Sequence, residues 1–116
     1  MNEIFVKSIY ETVVKESLQY YKGLYETTNI PPNTIDYWKQ AIGFYNALND
    51  EKKEILMRII EQTMIDTVSH MLGVIDGSST LNDCPFEPKL LLDSNDTEGE
   101  LQDLFLEFIE ERDSNS

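Results

Sequence analysis

Five carboxylates toward the end of the chain, Glu100, Asp103, Glu107, Glu110 and Glu111, have the types and spacing that say most about chemistry. Their spacing alternates between three and four residues with one adjacent pair, so on a helix they gather on one side. Leu101, Leu104, Phe105, Phe108 and Ile109 fall largely on the other side, with Leu104 and Glu111 sharing the boundary. Arg112 is the one base among them. Like charges one turn apart repel by a few tenths of a kcal/mol per pair, so the apolar stripe must hold such a helix in place. What this face offers is attraction and steering of a basic protein surface. A plain solvated face would carry the same pattern, and the sequence alone does not separate the two.

Other chemistry-bearing residues are sparser. Asp66 and His70 lie one helical turn apart, a spacing that suits a proton relay, a fragment of a metal site, or a local ion pair or hydrogen bond at the edge of a core. The residue one turn before Asp66 is Gln62, not a carboxylate, and the chain has no second histidine. Glu51-x-x-Glu54 is similar to one element of the all-α nucleotide pyrophosphohydrolases. Their second element, Glu-x-x-Asp on the next helix, is missing, because Met64 follows Glu61 at that offset. A small metal-dependent hydrolase built from Glu51, Glu54, Asp66 and His70 is therefore an alternative, and no metal or cofactor is assigned. Cys84 is the only cysteine, so an intrachain disulfide or a cysteine zinc cluster is excluded, and it has no recognisable base beside it. Gly73 and Gly77 lack the flanking pattern and lysine of a phosphate loop.

The background to these residues is a chain of 116 residues, 41% hydrophobic and 27% charged, with a net charge of −13. That composition fits one globular domain over residues 1–116. Residues 77–116 hold eleven acids and only two bases, so the last third sets the electrostatic character. Such a surface repels phosphate, which disfavours nucleic acids and anionic membranes and favours a basic protein partner. A single cysteine, no secretory pattern at Met-Asn-Glu-Ile-Phe and no long apolar run point to a cytoplasmic setting.

The elements that must carry these groups read as an all-α bundle of about four helices, with an irregular segment before the last. Ile4, Phe5, Ile9, Val13, Tyr20, Tyr21 and Leu24 predict a helix over 3–26, stopped by the Thr-Thr-Asn and Pro31-Pro32 run. Tyr37, Trp38, Ala41, Ile42, Tyr45 and Leu48 predict a second over 34–48, capped by Asn33 or Thr34. The third, 51–76, is predicted to be central. Its stripe runs from Ile55, Leu56, Ile59 and Ile60 to Met71, Leu72 and Ile75, with Asn49 or Asp50 as cap and Gly77 as stop. Pro85 and Pro88 break 78–99, where 89–92 reads as loop with extended character. Thr97-Glu98-Gly99-Glu100 has capping-box spacing and predicts the last helix from Thr97, with a frayed tail over 113–116. Six tyrosines and Trp38, all in the first half, offer more aromatic surface than one small core hides easily. A homodimer burying that surface is a further alternative.

Met71-Leu72-Gly73-Val74-Ile75-Asp76-Gly77, Leu101-Gln102-Asp103-Leu104-Phe105 and the stretch from Phe86 to Leu92 between them resemble parts of small, acidic, largely uncharacterised bacterial proteins, some of them similar to immunity proteins of toxin systems. The likeness covers the second half of the chain. It implies a partner-binding role and a bacterial cytoplasmic setting. The leading expectation is a non-enzymatic, immunity-like or regulatory protein that neutralises a basic partner through the acidic helix face.

Overall fold

In the computed structural model, which describes residues 1–115, the first predicted helix is one rod in three parts. These are α1 (Asn2–Ile9), a π-helical segment (Tyr10–Glu16) and α2 (Ser17–Glu26). The backbone stays right-handed through both junctions, with φ −59° and ψ −50° at Tyr10 and φ −63° and ψ −40° at Ser17. The π segment corrects the predicted stripe. Val6, Tyr10 and Val14 are buried, whereas Ile4, Val13 and Tyr20 face solvent. A π turn is wider than an α turn. The buried positions accordingly recur every four residues, and the pattern at 3.6 puts Val13 where Val14 belongs.

α3 (Asp36–Asn46) is shorter than predicted. Ile35 occupies its N-cap position and no side chain caps it, so neither Asn33 nor Thr34 has the expected role. α4 (Asp50–Asp76) starts and stops as its sequence dictates. Asn49 Oδ1 accepts from the Lys52 amide at 2.8 Å, and Gly77 takes the left-handed conformation at φ 85°. The amides of Gly77 and Ser78 then donate to the carbonyls of Val74 and Gly73. α4 is the central element, packing on α5, the π segment and α2. Its contact surface is rotated from the predicted stripe: Ile65, Ser69 and Leu72 are buried, while Ile55, Ile59 and Met71 are exposed.

The irregular segment before the last helix contains the chain's only described sheet. Leu91–Leu92 (β1) pairs antiparallel with Asn95–Asp96 (β2), Leu91 opposite Asp96 and Leu92 opposite Asn95. Asp93 and Ser94 make the connection with φ of 48° and 73°, the positive-φ pair that a two-residue hairpin requires. The extended stretch thus finds its partner four residues on.

α5 (Leu101–Ser114) begins four residues later than predicted. Thr97 makes no capping box. It is buried, and its hydroxyl donates to the Leu90 carbonyl at 3.1 Å. The amides of Leu101 and Gln102 donate instead to the Asp76 carboxylate, at 3.2 and 2.7 Å. A cap from the end of α4 replaces the local one, because the turn that Gly77 starts returns the chain to that point. Asp113 and Ser114, expected in a frayed tail, continue α5, and Ser116 lies outside the described residues.

The core is built from Val6, Tyr10 and Val14 of the first rod, Ile65 and Leu72 of α4, and Leu101, Phe105 and Ile109 of α5. Gly73 allows α4 and α5 to approach closely: a Cβ there would lie 2.8 Å from the Gln102 amide nitrogen. That nitrogen donates to the Ser69 carbonyl at 3.0 Å. α3 lies outside this core and packs on α2.

Candidate functional site

The apolar stripe of α5 decides which way its carboxylates point. Leu101, Phe105 and Ile109 are buried against the first rod and α4, and the Phe108 ring lies 5.4 Å from that of Tyr10. The opposite side therefore faces water. Glu100, Asp103, Glu107, Glu110 and Glu111 are all exposed, and among the described residues none of them forms an ion pair. Glu100, at the N-cap position, accepts a hydrogen bond from Asn2 Nδ2 at 3.2 Å, which ties the start of α5 to the start of α1.

Arg112 is turned away from this face. Its guanidinium carbon lies 4.9 Å from the centre of the Tyr10 ring, and it donates to the Tyr10 hydroxyl. It also lies 3.7 Å from Glu61 and 2.6 Å from Asp113. Burial opposes its charge, but the bonds to Asp113 and Tyr10 outweigh that, and its pKa stands above the ordinary arginine value. The single base of α5 is thus committed to fastening the helix to α4 and the first rod, and the outer face keeps its full negative charge.

The structure adds one residue that the sequence did not single out. A shallow groove of about 180 Å³ between α1 and α5 is lined by Glu3, Val6, Leu104, Glu107, Phe108 and Glu111. Glu3, 3.6 Å from the N-terminal ammonium, places one carboxylate on α1 across an apolar floor from Glu107 and Glu111. No spacing rule links Glu3 to Glu107, since only the packing of α1 on α5 brings them near. Leu106, exposed beside the acidic row, gives the face a second apolar contact point.

The remaining candidates do not converge. Asp66 and His70 are both exposed. Asp66 accepts from Gln62 Nε2 at 2.8 Å, and no hydrogen bond or ion pair joins it to His70 among the described residues. The local bond of Asp66 is therefore to Gln62 and not, as expected, to His70. Glu54 and Asp66 are separated by about 18 Å of helix at 1.5 Å per residue. Among the described residues no three His, Cys, Asp or Glu side chains lie together in a metal-binding group. Cys84 is half-buried in the irregular segment, its Sγ 3.8 Å from the Phe86 carbonyl oxygen.

The aromatic surplus is mostly satisfied within the chain. Tyr21 and Trp38 stack at 6.1 Å and 14°, and Tyr25 lies 5.7 Å from Tyr45. Burial raises the pKa of Tyr25, helped by Tyr37 and Tyr21, and that of Tyr45, helped by Glu26 and Asp50. Tyr45 is also covered by the Lys53 ammonium at 5.3 Å. This layer joins α2, α3 and the start of α4. Tyr20 and Tyr37 stay exposed.

The fold and this surface define an acidic all-α bundle with an unneutralised outer helix. No helix among the described residues is long and apolar enough to cross a membrane. Comparison with protein-family models, with curated protein sequences and with solved structures gave no match to this chain.

Proposed function

We propose that the protein is a non-enzymatic binding module that captures a basic protein through the outer face of α5. The observation that carries this reading is the exposure of five carboxylates without ion-pair partners on a helix anchored from behind by Leu101, Phe105 and Ile109. A rigid row of charge steers a partner into register, and a floppy tail does not. Glu3, Leu106 and the apolar floor beside Leu104 add contact area around the charge. In the cytoplasmic, immunity-like role that the sequence resemblance implies, the partner is a cationic toxin whose nucleic-acid-binding surface this phosphate-like field occludes. The hydrolase alternative draws no support from the scattered positions of Glu51, Glu54, Asp66 and His70.

The test uses two baits, the native chain and the charge-reversed Asp103→Lys/Glu107→Lys/Glu111→Lys variant, in low-salt capture from the source cell's lysate. Basic proteins should be held by the first and lost from the second, with an association rate that falls steeply as salt is raised. Identical capture by both baits, with association insensitive to salt, would remove α5 from the function.

A further inference from the structure

We infer that a second copy of this chain packs on the outer side of α3, forming a two-fold dimer that leaves both acidic α5 faces free. The first observation is surface. A folded monomer of 13.5 kDa is expected to expose about 6,500 Å². This chain exposes 8391 Å², roughly 1,900 Å² more than that expectation. Its radius of gyration is 17.7 Å, where a compact chain of this length has about 13 Å. A stable dimer needs about 800 Å² from each partner.

The second observation is where apolar surface and charge lie. Ile35, Tyr37 and Phe44 are 64%, 60% and 60% exposed. Tyr37 and Phe44 are seven residues apart and so share one side of α3, with the small Ala41 between them. Their inward neighbours Trp38, Ile42 and Tyr45 serve the fold, and Tyr37 touches the Trp38 ring edge-on at 5.1 Å, yet most of this outer stripe faces solvent. This surface also carries little charge. α3 carries only Asp36 and Lys39, one of each sign, in a chain of net charge −13. Several other exposed apolar residues sit among charges: Ile55 and Ile59 beside Glu51, Glu54 and Arg58, and Phe86 beside Asp83 and Glu87. For two acidic chains, approach along α3 meets little repulsion.

The third observation is that the stripe is self-complementary. Two antiparallel α3 helices related by a two-fold axis at Gln40–Ala41 bring Tyr37 of each against the partner's Phe44, a ring-on-ring contact closed by the smallest side chain at the centre. Ile35 and the exposed Pro31–Pro32 turn extend the surface at either end. α5 packs on α1 and α4, so its acidic side is not consumed. The dimer then presents two acidic helices, and a partner with two basic patches gains from the linked second contact.

Sedimentation equilibrium of the full chain tests this. The native protein should run at twice 13.5 kDa, and its self-association should tighten as salt screens the −13 charges, the opposite of the dependence expected for capture by α5. Phe44→Lys and Tyr37→Asp should each raise the dimer dissociation constant at least about thirtyfold, the size of an aromatic hot spot. Circular dichroism should show both variants as helical as the native chain. An equal mixture of the two should recover a dimer, because Asp at one position meets Lys at the other. A native protein of 13.5 kDa at every concentration and salt level overturns the inference and leaves α3 to a different protein. A dimer untouched by either substitution overturns it too, and so does failure of the mixture to recover.

Discussion

Glu107→Gln is the substitution that probes what the acidic face costs the fold. Asp103 and Glu111 lie one turn to either side of Glu107, and Glu110 lies three residues on. Each like-charge neighbour at that spacing destabilises a helix by about 0.2–0.5 kcal/mol. With the side chain exposed and no ion pair to lose, the neutral isostere should stabilise the chain by roughly 0.6–1.5 kcal/mol at low salt. For a domain of this size that corresponds to a rise in melting temperature of about 3–7 °C. The gain should shrink when the Debye length falls to about 3 Å at 1 M salt. The assay is thermal unfolding of native and variant chains by circular dichroism at low and high salt, run beside partner association at the same ionic strengths. A variant that is more stable but binds more slowly is expected of a surface kept for binding at the expense of stability. A fall in melting temperature would show that Glu107 makes a favourable contact, and a gain of equal size at both salt levels would show that charge repulsion is not its source.

Three other outcomes follow from the packing. Asp76→Ala removes both side-chain acceptors at the start of α5 and should cost about 1–2 kcal/mol; amide exchange at Leu101 and Gln102 should accelerate, while Glu100→Gln leaves those amides protected. Gly73→Ala should destabilise by about 1 kcal/mol despite the better helix propensity of alanine, because its methyl displaces the Gln102 amide from Ser69; chemical denaturation of the single variant and of Gly73→Ala/Gln102→Ala, in which the clash is gone, measures this. Asp96 is held below the ordinary carboxylate pKa by the Glu98 amide, then by the Lys89 side chain. The hairpin contact should therefore be complete above the usual carboxylate pKa of about 3.9 and be lost as pH falls through the depressed value, which an NMR titration of the Asp96 carboxyl and the Glu98 amide can follow.

The sequence by itself determined the helical class, the long α4 with its Asn49 cap and Gly77 stop, and the grouping of five carboxylates on one side of α5. All of these follow from interactions within a few residues: a side chain reaching the next turn, a glycine free to take positive φ, or a periodicity repeated over several turns. Only the tertiary structure decided that Asp76 and not Thr97 caps α5. The rival acceptors differ by chain return, and a local pattern carries no information about what arrives from 25 residues away. The same is true of the π segment that buries Val14 in place of Val13, of the partnership between Leu91–Leu92 and Asn95–Asp96, and of the inward turn of Arg112 onto Tyr10. Each depends on which surfaces meet, and contact between distant segments is set by packing as a whole, which no single stretch of sequence encodes.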